Sequence, residues 1–416
     1  MKIATSPTLP RSFSRDTPAR HAPTWLSLAA LALGGLAIGT TEFASMGLLP
    51  DFATDLAVSI PHAGVAISAY ALGVVIGAPA LAVGMARWPR RRLVLALAGA
   101  VALTNASSAL AWSFPTFLLT RFLSGVPHGA YFGTAAVLAA GLVPPARRAR
   151  AIAATMSGLM VANIIGVPAA TWLGATLGWR TAYLAVAGLA ALTVVAVAQL
   201  VPAAGSPSPE SAPAPAARAE LAAFRRPQVW LTLLVIAAGF GGTFAVYSYI
   251  TPILTEVSGF TVHQVPLALA AYGVGMTAGN HVGGRLAERM PIATVVGSMV
   301  AGTLVLAAFT RTARSPIPAT ITLFGIGFML VCATPALMTR LMEFAPDSRT
   351  VAAATYHSAF NVANALGATL GGAVLAAGGG YTAPAAVGAV LPVIGLAVFL
   401  ASVLMQYRPV RLRHVH

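Results

Sequence analysis

Three side chains that can carry charge interrupt runs of apolar residues, and their spacing decides what chemistry they could do. Glu42 stands in GTTEFASMGLLP (residues 39–50), near the end of an apolar stretch that starts at Trp25. Arg121 and His128 stand in RFLSGVPHGAYFG (residues 121–133), seven residues apart and so on a similar helix face. A charge in a bilayer core costs at least ~2.5–3.5 kcal/mol on insertion scales, so it is kept there for a task. Glu42 and Arg121 each lie six or seven residues from the outer end of their stretch, which puts both ~10 Å below the same surface. Glu42 is the only carboxylate inside such a stretch; Glu256, Glu288, Glu343 and Asp347 fall at helix ends or in loops. An acid and a guanidinium at one depth can take up a proton when the arginine is drawn elsewhere and release it when the pair re-forms. The competing readings are a permanent ion pair that fixes packing, or no contact at all. His128 could bind a solute or relay protons, or pack as a neutral, hydrogen-bonded ring.

Enzyme chemistry is weakly supported. Ser124 and His128 are four residues apart, the spacing of a nucleophile and its base, but no aspartate lies within a span to orient the imidazole. HExxH, paired intramembrane aspartates and a GxxxxGK[ST] phosphate loop are all missing. The expectation is a non-enzyme with no metal and no cofactor.

The elements that position these residues follow from composition. The chain has 416 residues, 57% hydrophobic and 8% charged, with mean hydropathy +0.81, whereas soluble domains carry ~25% charged residues. Apolar runs of spanning length fall at 25–49, 62–85, 93–112, 115–142, 151–174 and 178–201, then at 229–254, 264–287, 292–310, 317–342, 350–376 and 382–406. Such continuous runs read as helices. The first is too long for a signal-peptide core and reads as a retained span. The net charge of +15 would suggest nucleic acid in a soluble protein, but 21 of the 25 basic residues fall in the tails and alternate loops. That is the positive-inside pattern, so both termini are expected in the cytoplasm and nucleic acid is not an expected partner. The one cysteine, Cys332, lies within a span and gives no disulfide framework.

The two sets of runs repeat at an offset of 202 residues: Gly39 and Gly241, Thr41 and Thr243, Pro50 and Pro252, Tyr70 and Tyr272, Gly73 and Gly275, Arg87 and Arg289, Gly125 and Gly327. An even number of spans per half makes this a parallel repeat. Glu42 maps to Phe244 and Arg121 to Leu323, so the charges belong to one half alone.

GTTEFASMGLLP, RFLSGVPHGAYFG, ANIIGVPAATWLGATLGWR, GNHVGGRLAERM and AFNVANALGATLGG carry a resemblance that covers about residues 25–406. The chain resembles the drug:proton antiporter branch of the major facilitator superfamily, in particular arabinose efflux permease-like and chloramphenicol exporter-like bacterial transporters. The resemblance implies an all-α membrane protein of twelve helices in two parallel six-helix repeats, with a central site between the halves. It also implies a cytoplasmic charge latch after the second helix of each half. Arg87, Arg90 and Arg91 fall there in the first half, and Gly284, Glu288 and Arg289 in the second; the first half has Ala86 at the acid position. A Gly/Pro-rich fifth helix resembles the antiporter signature, although Gly-Val-Pro stands where the signature has Gly-Pro. Small residues at 158, 162, 166, 170 and 174 also suit plain close packing.

These readings together give a 1–24 N-tail expected to be disordered, a 25–201 bundle, a 202–228 linker, a 229–406 bundle and a 407–416 C-tail. The expected function is export of a small drug- or sugar-like solute across the bacterial cytoplasmic (inner) membrane by proton antiport. The alternative is a proton-coupled or facilitated importer of a sugar- or nucleoside-like solute. Glu42, Arg121 and His128 are the proton-coupling candidates; Thr41, Asn163, Tyr247, His357 and Asn361 are the substrate-binding ones. His357, Asn361 and Asn364 lie on adjoining turns, while Tyr70 and Tyr272 lean toward packing. The expected partners are a small molecule, protons and the lipid bilayer, and a monomer suffices for this plan.

Overall fold

An apolar run of spanning length can satisfy its backbone in lipid only as a helix, with every N–H and C=O bonded inside the run. The computed structural model describes residues 23–85, 88–202, 225–345 and 349–407. Its membrane helices in the first half are α1 (Thr24–Gly47), α2 (Val65–Gly84), α3 (Arg90–Ala109), α4 (Phe114–Gly141), α5 and α6 (Trp179–Leu200). Helix α5 runs over Arg148–Val161, passes through a π-helical turn at Ala162–Gly166 and resumes over Val167–Leu177. The second half holds α7 (Pro227–Tyr247), α8 (Val265–Arg289), α9 (Pro291–Thr312), α10 (Pro316–Cys332 and Thr334–Phe344), α11 (Arg349–Ala376) and α12 (Ala383–Tyr407). Ten stretches are long and apolar enough to cross a membrane by composition. The other two, α4 and α8, run 28 and 25 residues but are diluted by glycine and polar residues, Arg121 and His128 among them. The linker reading and most of both tails lie outside the described residues.

Proline sets a difference from the expected spans. The run 229–254 is not one helix: α7 ends at Tyr247 and a short helix restarts at Ile250–Glu256. Pro252 has no N–H to offer the carbonyl four residues back, so the ladder breaks there. Its repeat mate Pro50 does the same to α1, which ends at Gly47 before the short helix Leu49–Asp55. In α10 the break at Ala333 precedes Pro335.

The repeat has a packing cause. A methyl group on Gly73 of α2 would strike the Phe122 carbonyl of α4, and one on its mate Gly275 of α8 would strike the Phe324 carbonyl of α10. Each half therefore brings two backbones into contact at the same place, where only glycine fits. Trp25, Trp88 and Trp230 lie exposed toward the arginine-rich end, and Trp112 and Trp172 toward the other. Exposed tryptophans at both ends are what the two interfaces of a bilayer favour.

The halves are packed together at the arginine-poor end. Thr251 donates to the Gly47 carbonyl at 2.8 Å, and the Ser68 and Thr369 hydroxyls lie 3.3 Å apart between α2 and α11. Gly273 of α8 sits directly on the Asn163 carbonyl in the π turn of α5. Toward the arginine-rich end the halves meet through the Phe132 and His357 rings, stacked at 6.1 Å, and a long Thr277 to Met160 sulfur contact of 3.9 Å.

Candidate functional site

Helices α1, α2 and α4 bring the first half's polar groups to one buried place. Arg121 is fully buried, and its guanidinium donates to the Thr41 hydroxyl at 3.0 Å and to the Thr41 carbonyl at 2.9 Å. The Thr41 hydroxyl in turn donates to Asn105 Oδ1 of α3 at 2.5 Å. Two rings complete the surround, Tyr70 at 4.6 Å and Tyr183 at 5.2 Å from the guanidinium carbon. A cation held over aromatic faces gains electrostatic attraction that grows as water is excluded. Tyr183 is itself fixed by a 2.8 Å bond to Ser45.

Glu42 does not join that cage. Its Oε2 lies 3.9 Å from His128 Nδ1, and its Oε1 finds no hydrogen-bond partner. His128 Nδ1 also lies 3.0 Å from the Tyr70 hydroxyl. Neither an ion pair nor a hydrogen bond joins Glu42 to Arg121 among the described residues, because Thr41, one residue along α1, occupies the guanidinium. The equal depth read from the sequence is real, but rotation about α1 gives the arginine a neutral neighbour. Tyr70 touches both His128 and Arg121.

The second half supplies aromatics and amides. Tyr247 of α7 stacks on Tyr272 of α8 at 4.0 Å, and neither hydroxyl finds a partner. Phe43, next to Glu42, meets Phe244 at 6.4 Å and Tyr247 at 6.1 Å across the half boundary. On α11, His357 stacks on Phe132, Asn361 donates to the His357 carbonyl at 3.1 Å, and Asn364 is fully buried with both amide atoms unpartnered. Asn163 lies in the π turn of α5, donates to the Leu159 carbonyl at 2.9 Å and leaves its own Oδ1 unpartnered. π-Helical turns are frequent at functional sites.

The latch candidates are dispersed. Arg87 lies outside the described residues. Arg91 donates to the Val201 and Ala198 carbonyls at 2.7 and 2.5 Å and so caps α6 of its own half. Cations suit a helix C-terminus, where carbonyls lack partners. Arg90 is half-buried at the start of α3. Gly284 lies near the end of α8, where Glu288 and Arg289 are exposed and make no ion pair among the described residues.

Asn105 and Tyr183 were not among the expected site residues. One signal was available for them. At the repeat offset Asn105 maps to Ala307 and Tyr183 to Ala385, just as Glu42, Arg121 and His128 map to Phe244, Leu323 and Leu330. Most of the site's polar residues are present in one half only; Thr41 and Tyr70, kept as Thr243 and Tyr272, are the exceptions.

Twelve membrane helices in two like halves among the described residues, with a buried polar cluster on α1, α2, α3 and α4, have the plan of a secondary transporter. The Major Facilitator Superfamily model matches residues 31–355 and 252–414. The chain belongs to that superfamily. It is 40% identical to the inner membrane transport protein YdhP of Escherichia coli (strain K12), over 92% of this chain and 96% of that one. It is 34% identical to the chloramphenicol resistance protein of Streptomyces lividans, over 82% of this chain and 87% of that one. The fold also matches an inward-facing, occupied crystal structure of a bacterial homolog to the human lysosomal transporter Spinster, with TM-score 0.68, 16% identity and 90% and 96% of the two chains covered.

Proposed function

We propose that this protein exports a small organic solute across the cytoplasmic membrane in exchange for protons, with its arginine-rich end in the cytoplasm. The observation that carries the reading is Glu42. It is a buried carboxylate with one oxygen unpartnered, the other near His128, and the neighbouring guanidinium held by Thr41. With a proton on Glu42 the acid is neutral and Arg121 rests on Thr41. When the proton leaves, the carboxylate draws Arg121 away from the Thr41 carbonyl, and this exchange of partners is the two-state element that transport requires. His128, 3.9 Å from Glu42 and 3.0 Å from the Tyr70 hydroxyl, is the group placed to pass the proton on once it closes on the carboxylate. Relatives named for an inner membrane transport protein and for chloramphenicol resistance support an exporter of drug-like solutes.

The test uses inside-out vesicles made acidic inside, with a pH dye and, in turn, chloramphenicol, arabinose and a nucleoside. Wild type is expected to release protons when its solute is added, and Glu42→Gln to release none. Proton release that survives in Glu42→Gln would remove Glu42 from the coupling.

A further inference from the structure

A buried amide with neither atom hydrogen-bonded costs free energy that an apolar side chain of the same shape would not. Asn364 is in that position, with 0% of its surface exposed and neither Oδ1 nor Nδ2 partnered in the protein. It lies one turn from Phe360, whose ring packs on Phe244 at 5.1 Å. Phe244 faces Phe43 at 6.4 Å, and Phe43 meets Tyr247, which stacks on Tyr272 at 4.0 Å. One turn beyond Asn364, Gly367 lies against the backbone of Gly241 and Ala245 in α7. Ring contacts therefore run from Phe360 of α11 through Phe244 of α7 and Phe43 of α1 to Tyr247 and Tyr272, with the unpartnered amide one turn from the first ring and the two unpartnered hydroxyls at the last.

We infer that Asn364, Tyr247 and Tyr272 recognise the solute, and that the solute is a neutral molecule with an aromatic or apolar body bearing a hydroxyl or amide edge. This rests on the reading of the chain as a transporter of small solutes. An amide offers both donor and acceptor, and a phenol can do either, so this set suits uncharged polar groups better than an obligate ion. The Phe43 and Phe244 rings lie parallel and Phe360 stands edge-on to Phe244, an apolar aromatic setting that suits a ring-bearing body. A sugar would need a polar partner for most of its hydroxyls, and this wall supplies few.

The experiment measures equilibrium binding of radiolabelled chloramphenicol to the purified full chain in detergent at one pH, with arabinose as competitor, beside thermal melting of each variant. Wild type is expected to bind the antibiotic, and arabinose not to displace it. Asn364→Leu is expected to weaken binding roughly three- to tenfold, the effect of one lost neutral hydrogen bond. Its melting temperature should stay level or rise, because no partner in the protein is lost. Tyr247→Phe and Tyr272→Phe should behave alike, and serve if Asn364→Leu does not fold. Unchanged affinity in all three variants, or a fall in melting temperature that accompanies every loss of binding, would make these groups packing elements. A wild type that ignores chloramphenicol, or binds arabinose as well, would overturn the solute class. Binding at a single pH is read whether or not Glu42 carries the proton, so failure here and failure of the coupling scheme remain distinct.

Discussion

The Thr41 hydroxyl is shared between two demands, accepting from Arg121 and donating to Asn105. That sharing holds a fully buried cation in a place with no carboxylate bonded to it. A hydrogen bond to a charged group is worth about 1.5–3 kcal/mol. Thr41→Val keeps the shape and removes the hydroxyl, so it should lower stability by about that amount in a detergent melt, while Thr41→Ser should cost well under half as much. Equal losses from both variants would mean that the hydroxyl does not anchor the arginine. Depth in the membrane was legible for Glu42 and Arg121, because residue counts along a helix convert directly to ångströms. Which of the two neighbours, Thr41 or Glu42, meets the guanidinium was not. That depends on about 100° of rotation per residue and on how α1 leans against α4. Tyr70 and its mate Tyr272 keep the same residue type but touch different groups, His128 and Arg121 for one and Tyr247 for the other.

Among the elements, the twelve helices were plain because lipid forces continuous apolar runs, and their breaks were not, because a proline inside a run can begin a new helix without changing its hydropathy. The helix ends on the arginine-poor side are tied in a way that hydropathy does not reveal. Asp55, the last residue of the short helix that follows α1, pairs with Arg180 and accepts from the Trp179 indole at 3.1 Å. Arg180 also donates to the Ala111 carbonyl at 3.0 Å, so one clasp joins the short helix, the start of α6 and the loop between α3 and α4. The hydrogen bond from Arg180 holds the Asp55 carboxyl below its usual range. A carboxyl that is more acidic when folded adds stability above its unfolded value and loses it as pH falls through the folded one. Its stabilising effect should therefore be present at neutral pH and fade below about pH 4. The difference in melting temperature between wild type and Asp55→Asn, followed against pH, should be small at pH 7, as for other exposed pairs, and vanish in acid. A difference that persists in acid would mean that the clasp acts through shape and not charge.

For the molecule as a whole, the packing of the halves at the arginine-poor end is the state on view. Gly273 permits it by letting α8 rest on the π turn of α5. A larger side chain there collides with backbone, which cannot move aside as a flexible side chain would. Gly273→Leu should therefore shift the balance away from this packing. Ser68→Cys, placed at the α2–α11 seam in a background with Cys332→Ser, would report it through its reaction with a membrane-impermeant maleimide. Labelling from the outside should become faster with Gly273→Leu than without it; an equal rate would mean that α5 and α8 do not hold the seam. Such a shift amounts to a change in the populations of two states, and a few kcal/mol suffices to invert them.

The unequal halves have one more consequence. The buried charges, Glu42 and Arg121, come from the first copy of the repeated unit, and the unpartnered amide of Asn364 with the stacked tyrosines comes from the second. Duplication gave two frames of one design, and each was then free to specialise. On the proposed reading, a lineage could exchange its cargo largely by changes in the second frame, while the proton engine of the first ran on untouched.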